Sequence, residues 1–230
     1  FLTSPGRYRA MTALTLLAPG TPMLFQGQEF AASAPFYYFA DHSPELAKLV
    51  RKGRVEFLAQ FRSLADPAMQ TVFADPESPQ TFEACKLDFS EREKNAGAYQ
   101  LTKDLLQLRR TDPAFRAQKP RGVDGAVLSE SGFVLRFFAP DGADRLLLVN
   151  FGPDAHLMSA PEPLLAPPAG GRWRVALSTD EPKYGGTGVG PIDTADEGWR
   201  VPGESAAVLV PEADGAIGTR RRNGVKRIIY

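Results

Sequence analysis

The strongest constraint on this chain is a change of pattern near residue 117. Upstream, apolar residues recur at helical spacing and one short run reads as a strand; downstream, four runs read as strands separated by Gly, Pro, Asp and Asn. Ser4-Pro5 opens the first helix, serine as N-cap and proline at the first helical position. Tyr8, Met11, Leu14 and Leu17 then mark an apolar face until Pro19-Gly20 stops it. Met23-Leu24-Phe25 reads as a short buried strand. A second helix is expected from Ser43-Pro44 to Asp66-Pro67, with Leu46, Val50, Phe57, Phe61 and Leu64 on one side. Residues 67–89 read as irregular. Ser90 and Glu93 have capping-box spacing for a third helix, which carries Tyr99, Leu101, Leu105 and Leu108 and ends at Asp112-Pro113.

The strand-like runs are Phe133–Phe138, Leu146–Val149, Trp173–Leu177 and Ala206–Val210. They imply a separate antiparallel β domain. Trp173 and Trp199 are assigned to its core or edge packing, and His156 to a surface loop. Residues 160–171 form a Pro-rich loop. The glycines of 184–190, YGGTGVG, lack the Gly-Lys-Ser/Thr ending of a phosphate loop and read as a turn-rich sheet connection.

Helix, short buried strand, polar loop, helix is the order of a parallel α/β unit. In a parallel barrel, functional residues stand at the C-terminal ends of the strands. That would explain why the apolar run Pro22–Phe25 ends on Gln26-Gly27-Gln28-Glu29: the side chains after Phe25 would stand at the mouth of a pocket. Such a barrel needs about 250 residues. The expectation is therefore that residues 1–116 form the C-terminal part of a (β/α)8 barrel whose remainder lies upstream, and 117–230 an antiparallel β-sandwich domain.

Composition narrows the function classes. The 27 basic and 27 acidic residues cancel, which disfavours nucleic acid and anionic membrane as global partners. No apolar run reaches the roughly 18 residues of a membrane span. The single cysteine, Cys85, rules out an internal disulfide and reads as structural; it suits a reducing, cytoplasmic setting. The basic tail at 220–227 reads as a solvated terminus.

The stretch GTPMLFQGQEF resembles the eighth-strand segment of the α-amylase superfamily of glycoside hydrolases. Its continuation, AASAPFYYFADHSPELAKLVRKGRVEFLAQF, is similar to the malto-oligosyltrehalose trehalohydrolase family, as is DPESPQTFEACKLDFSERE; STDEPKYGGTG and WRVPGESAAVLV resemble the C-terminal β-sandwich that this family shares with branching enzymes. The resemblance implies hydrolysis of the α-1,4 bond between a maltooligosaccharide and terminal trehalose, with no cofactor. It implies an α-glucan partner, and a missing barrel segment in the same parent chain. The family's nucleophile, its acid/base and a third aspartate all fall before Phe1, so no residue here inherits a catalytic role and the chain alone is expected to be inactive. A branching-enzyme fragment and a non-catalytic α-glucan-binding chain are the alternatives.

The candidate substrate contacts are Gln28, Glu29, Tyr37, Phe39, Asp41 and His42. Aromatic faces suit the apolar faces of glucose, and Asp41 and His42 follow the aromatic run where they could bond sugar hydroxyls. Asp41 could equally sit at a helix N-terminus. Retaining hydrolysis needs two carboxyls about 5 Å apart. Glu29 and Asp41 share one loop, but the resemblance places neither at a catalytic position. His42 with Glu45 does not make a metal site without further ligands.

Overall fold

The computed structural model describes residues 3–62, 64, 66, 73–118, 121–139, 142–158, 160–168, 171–188, 190–194 and 198–213. The basic tail at 220–227 lies outside them. Contacts divide the chain into two units, Phe1–Met23 with Gly97–Tyr230, and Leu24–Ala96.

The first unit is a β-sandwich with helices on it. Strands β1 (Val123–Val127), β2 (Gly132–Phe137), β3 (Arg145–Asn150), β5 (Gly171–Ser178) and β8 (Ser205–Ala213) form an antiparallel sheet in the order β1-β2-β3-β8-β5; β4 (Ala155–Leu157), β6 (Asp193–Thr194) and β7 (Gly198–Val201) form a second, β4-β7-β6. Alternate side chains of a strand face opposite ways. Leu146 and Leu148 of β3 and Ala207 and Leu209 of β8 enter a core with Val134, Leu165, Trp173, Ile192 and Trp199, which bridges the two sheets. The Trp173 indole donates to the Leu165 carbonyl at 2.8 Å.

The intervening residues Leu147, Val149, Ala206 and Val208 are also buried, and Leu147 stands opposite Val208 and Val149 opposite Ala206. Helix α1 (Pro5–Leu17) packs on β3 and β8. Burial on both faces accounts for the unbroken apolar runs in these strands. Ser4 caps α1 as expected, its hydroxyl accepting from the Arg7 amide at 3.2 Å. Leu17 is buried as its spacing predicts, but Met11 is exposed, and Ala10, Ala13 and Leu16 make up the rest of the buried face. Small residues let the helix approach the sheet closely, so a reading from large side chains misses Ala10 and Ala13 and wrongly includes Met11. At Gly6 a Cβ would come within 2.7 Å of the Glu204 carbonyl. Arg9 fixes the helix further, donating to the Thr179 carbonyl at 2.8 Å and pairing with Asp180 at 3.1 Å.

Helices α5 (Ala96–Thr111) and α6 (Pro113–Arg116) complete this unit. Asp112 ends the first and caps the second: one oxygen accepts from the Ala114 amide at 3.0 Å and the other from Arg145 at 2.8 Å. The Tyr184 hydroxyl donates to Asp104 of α5 at 2.6 Å. Burial and this hydrogen bond push the phenol above its ordinary range.

The second unit holds α2 (Pro44–Leu58), α3 (Pro79–Ala84) and α4 (Glu91–Lys94). Its buried side chains include Phe30, Ala47, Thr81 and Cys85.

Several expectations are corrected. Met23–Phe25 is not a buried strand: no ladder forms there, and Met23 and Phe25 are 78% and 58% exposed. An isolated apolar run has no partner for its backbone, and propensity alone does not supply one. Helix α2 stops at Leu58, not at Asp66-Pro67, because i→i+3 bonds from Gln60, Phe61 and Leu64 turn the chain out of the helix. The irregular reading of 67–89 misses α3. Ser90 makes no capping bond. Instead its amide donates to Asp88 at 2.9 Å, and the Ser90 hydroxyl and amide hold that carboxyl below its usual range. His156 lies on β4 and not in a loop. Among the described residues no helix is long and apolar enough to cross a membrane.

Candidate functional site

The segment that carries the candidate residues is held at several points. Gly27 adopts a left-handed φ of 80°, and a Cβ there would lie 2.5 Å from Ala32. Its carbonyl accepts from both the Phe30 and Ala32 amides, and Gln28–Phe30 form a single 3₁₀ turn. This turn is why the apolar run ends on polar side chains. Gln28 uses its side-chain carbonyl to accept from the Phe25 amide at 3.1 Å. Phe30 is fully buried and Arg92 lies over its ring at 5.4 Å. Ser33 donates its amide and hydroxyl to Glu91 at 2.9 and 2.6 Å, which lowers the Glu91 pKa. Farther on, the Tyr37 amide donates to the Cys85 thiol at 3.3 Å and the Ala40 amide to the Pro76 carbonyl at 3.0 Å. The structural reading of Cys85 agrees with this: it anchors backbone.

Between those anchors the aromatic run faces outward. Phe36, Tyr37, Tyr38 and Phe39 are 63%, 45%, 42% and 39% exposed. Two clefts flank it. The first, about 200 Å³, is lined by Phe36, Tyr37, Tyr38, Arg51, Arg54 and Pro76 among others. The second, about 430 Å³, is lined by Phe39, Asp41, Pro76, Glu77 and Phe82 among others. The Arg54 guanidinium sits 4.4 Å from the centre of the Tyr38 ring. The Tyr38 hydroxyl lies 3.5 Å from His42 Nε2. Phe39 and Phe82 meet edge to face at 5.1 Å.

The structure thus brings Tyr37 to one cleft and Phe39 and Asp41 to the other. Gln28, Glu29 and His42 line neither; His42 reaches the first only through Tyr38. Glu29 is half-buried in the 3₁₀ turn and makes no ion pair among the described residues. It does not join Asp41. Arg51 and Arg54 were not anticipated, although their i, i+3 spacing places them on one face of α2. Arg51 is held by Asp75 at 2.9 Å. Aromatic faces, guanidinium groups and the carboxylates of Asp41 and Glu77 around shallow clefts can stack on rings and hydrogen-bond hydroxyls.

Residues 120–208 match a family described as a domain of unknown function, DUF3459. Over 150 residues the chain is 38% identical to a malto-oligosyltrehalose trehalohydrolase of Deinococcus radiodurans, a stretch covering 64% of this chain and 24% of that relative. It is 41% identical over 114 residues to one from Brevibacterium helvolum, covering 48% and 18%. A 1,4-alpha-glucan branching enzyme GlgB of Thermobifida fusca is 35% identical over 126 residues, covering 51% and 16%. Among solved structures, a Salmonella typhimurium protein described as an alpha amylase aligns with a TM-score of 0.64 at 22% identity, over 89% of this chain and 30% of that one. The trehalulose synthase MutB of Pseudomonas mesoacidophila MX-45 aligns at 0.50 and 14%, over 90% and 38%. These two show likeness of fold. The matched stretch is about a quarter or less of each of these curated relatives.

Proposed function

We propose, from the homology of this chain to malto-oligosyltrehalose trehalohydrolases, that it is the C-terminal share of a glycoside hydrolase of the α-amylase superfamily. The reaction is hydrolysis of the α-1,4 bond between a maltooligosaccharide and terminal trehalose, in the cytoplasm and without a cofactor. The observation that carries the reading is the 38% identity over 150 residues. In this reading residues 1–116 close a (β/α)8 barrel and 117–230 form its β-sandwich domain. A barrel segment upstream in the same polypeptide supplies the nucleophile and the acid/base.

This chain's share is then binding. Tyr37 and Phe39 offer ring faces to the apolar faces of glucose units. Asp41 accepts from sugar hydroxyls, and His42 orients Tyr38. Gln28 acts through the turn it holds, and Glu29 stands beside it on that turn. The outward aromatic run supports the assignment, because apolar surface of this kind marks a binding or packing face.

The test is an assay of the native polypeptide from its source on maltooligosyltrehalose, beside residues 1–230 alone. Trehalose release by the native enzyme and none by the 230 residues is expected. Release by the 230 residues would overturn the division of labour. The second reading, a branching enzyme, rests on the 35% identity with GlgB. It predicts new branch points in linear α-glucan and no free trehalose.

A further inference from the structure

We propose that the sandwich unit carries a saccharide site of its own, a groove beside β4, β7, the 180–188 segment, Gly190 and Pro191 that takes a neutral α-glucan. The groove holds about 370 Å³ and is lined by Asp154, His156, Asp180, Thr187, Gly190 and Arg200 among others. That volume lies in the range of small-ligand clefts. His156 and Arg200 stand directly opposite each other in the β4–β7 ladder, and both are exposed, so imidazole and guanidinium lie side by side.

The carboxylates are fixed in direction before a ligand arrives. Asp154 accepts from the Gly203 amide at 2.7 Å. Asp180 accepts from Arg9 at 3.1 Å, and from the Thr187 hydroxyl and amide at 2.8 and 3.2 Å. An ionised carboxylate has about four acceptor positions, so both retain capacity. Groups of both signs line one groove. An anion would face Asp154 and Asp180, and a cation would face Arg200. A neutral ligand rich in hydroxyls meets a partner on each side.

Gly190 is an independent observation. Its φ is not left-handed, and a Cβ there would meet nothing within 4 Å. Neither backbone conformation nor packing demands glycine. Its consequence is bare backbone in the groove wall, which a sugar ring can approach closely. The groove stands on these observations; the choice of an α-1,4-glucan rests on the proposed function.

The test is native affinity electrophoresis of the 230-residue chain in gels containing soluble starch or laminarin, a β-1,3-glucan. The variants are Gly190→Val, which fills the groove, Arg200→Ala, Val127→Ala on the exposed side of β1 as the comparison, and Tyr38→Ala for the aromatic run. Near-ultraviolet circular dichroism of Trp173 and Trp199 reports folding; if Gly190→Val does not fold, Arg200→Ala decides. Starch should retard the parent and Val127→Ala alike, with apparent dissociation constants about tenfold weaker in the groove variants. Retardation unchanged in the groove variants but lost in Tyr38→Ala overturns the site. Retardation by laminarin alone, lost in Gly190→Val, keeps the groove and overturns the α-glucan choice. Retardation by neither overturns the site. The proposed function fails by a different result, the absence of trehalose release by the native enzyme.

Discussion

The two units spend their apolar residues in opposite ways. In the sandwich unit Leu146–Val149 and Ala206–Leu209 are buried on both faces, and the arginines around them are paired: Arg9 with Asp180, Arg136 with Asp144, Arg145 with Asp112. In the 24–96 unit Phe25, Phe36, Tyr37, Tyr38, Phe39, Phe57, Phe61, Phe82 and Phe89 all face outward. Among the described residues the sandwich unit exposes one aromatic ring to a similar degree, that of Phe138. A structure that has closed its own core hides such groups; one built to meet something else presents them. The same contrast runs through the glycines. Gly6, Gly97 and Gly186 sit where a Cβ would meet backbone of the same unit, whereas Gly53, mid-helix in α2, has nothing within 4 Å of a Cβ.

The contrast can be broken most forcibly by removing α1. Deleting residues 1–23 uncovers Ala206 together with Leu147, Val149 and Val208, the last three each worth about 1.5–3 kcal/mol when fully buried. The expected outcome is loss of the cooperative unfolding transition of the sandwich, read by thermal circular dichroism. A sharp transition in 117–230 alone would show instead that the sheets stand without α1.

Next in size is Gly186→Ala. Its Cβ would lie 2.1 Å from the Asp180 carbonyl oxygen, a backbone atom in a turn tied to Arg9. A loss of about 3 kcal/mol is expected in urea unfolding. A cost below about 1 kcal/mol would mean that the 180–188 turn is pliable.

Tyr184→Phe removes the bond to Asp104 and should cost about 1–2 kcal/mol. Because the phenol is raised above its ordinary value of 10, its contribution is intact below that pH. It falls away as pH rises from there through the folded-state pKa, because the unfolded chain gives up its proton first. The parent should therefore lose stability above pH 10 more steeply than Tyr184→Phe; parallel alkaline profiles would exclude the linkage.

The smallest effect has the opposite sign. Gly53→Ala adds a good helix former to α2 without a clash, and should stabilise it by about 0.5–1 kcal/mol. A destabilising result would show that the α2 backbone at 53 packs against something not seen in this chain.

Much of this architecture is legible in the residues alone. The apolar runs of β2, β3, β5 and β8 are long enough to read without a partner, and the Ser4-Pro5 start of α1 is local chemistry. The short strands β4, β6 and β7 are not, since two to four residues carry no periodicity. Nor is α3, which lies among residues with no apolar stripe. At the candidate site Tyr37, Phe39 and Asp41 were found as a contiguous polar and aromatic run. Arg54 was not, because its place over Tyr38 depends on how α2 packs against that run.

By itself the sequence determined the elements whose signal is local: strand runs, proline-started helices, the aromatic segment and the relatives it resembles. Tertiary structure decided what depends on neighbours distant in the chain. It buried Ala10 and Ala13 rather than Met11, because α1 meets the sheet through small residues. It left Met23–Phe25 without a ladder, because a strand exists only where another strand completes its hydrogen bonds. It set His156 beside Arg200, a pairing made by register across a ladder and invisible to spacing along the chain.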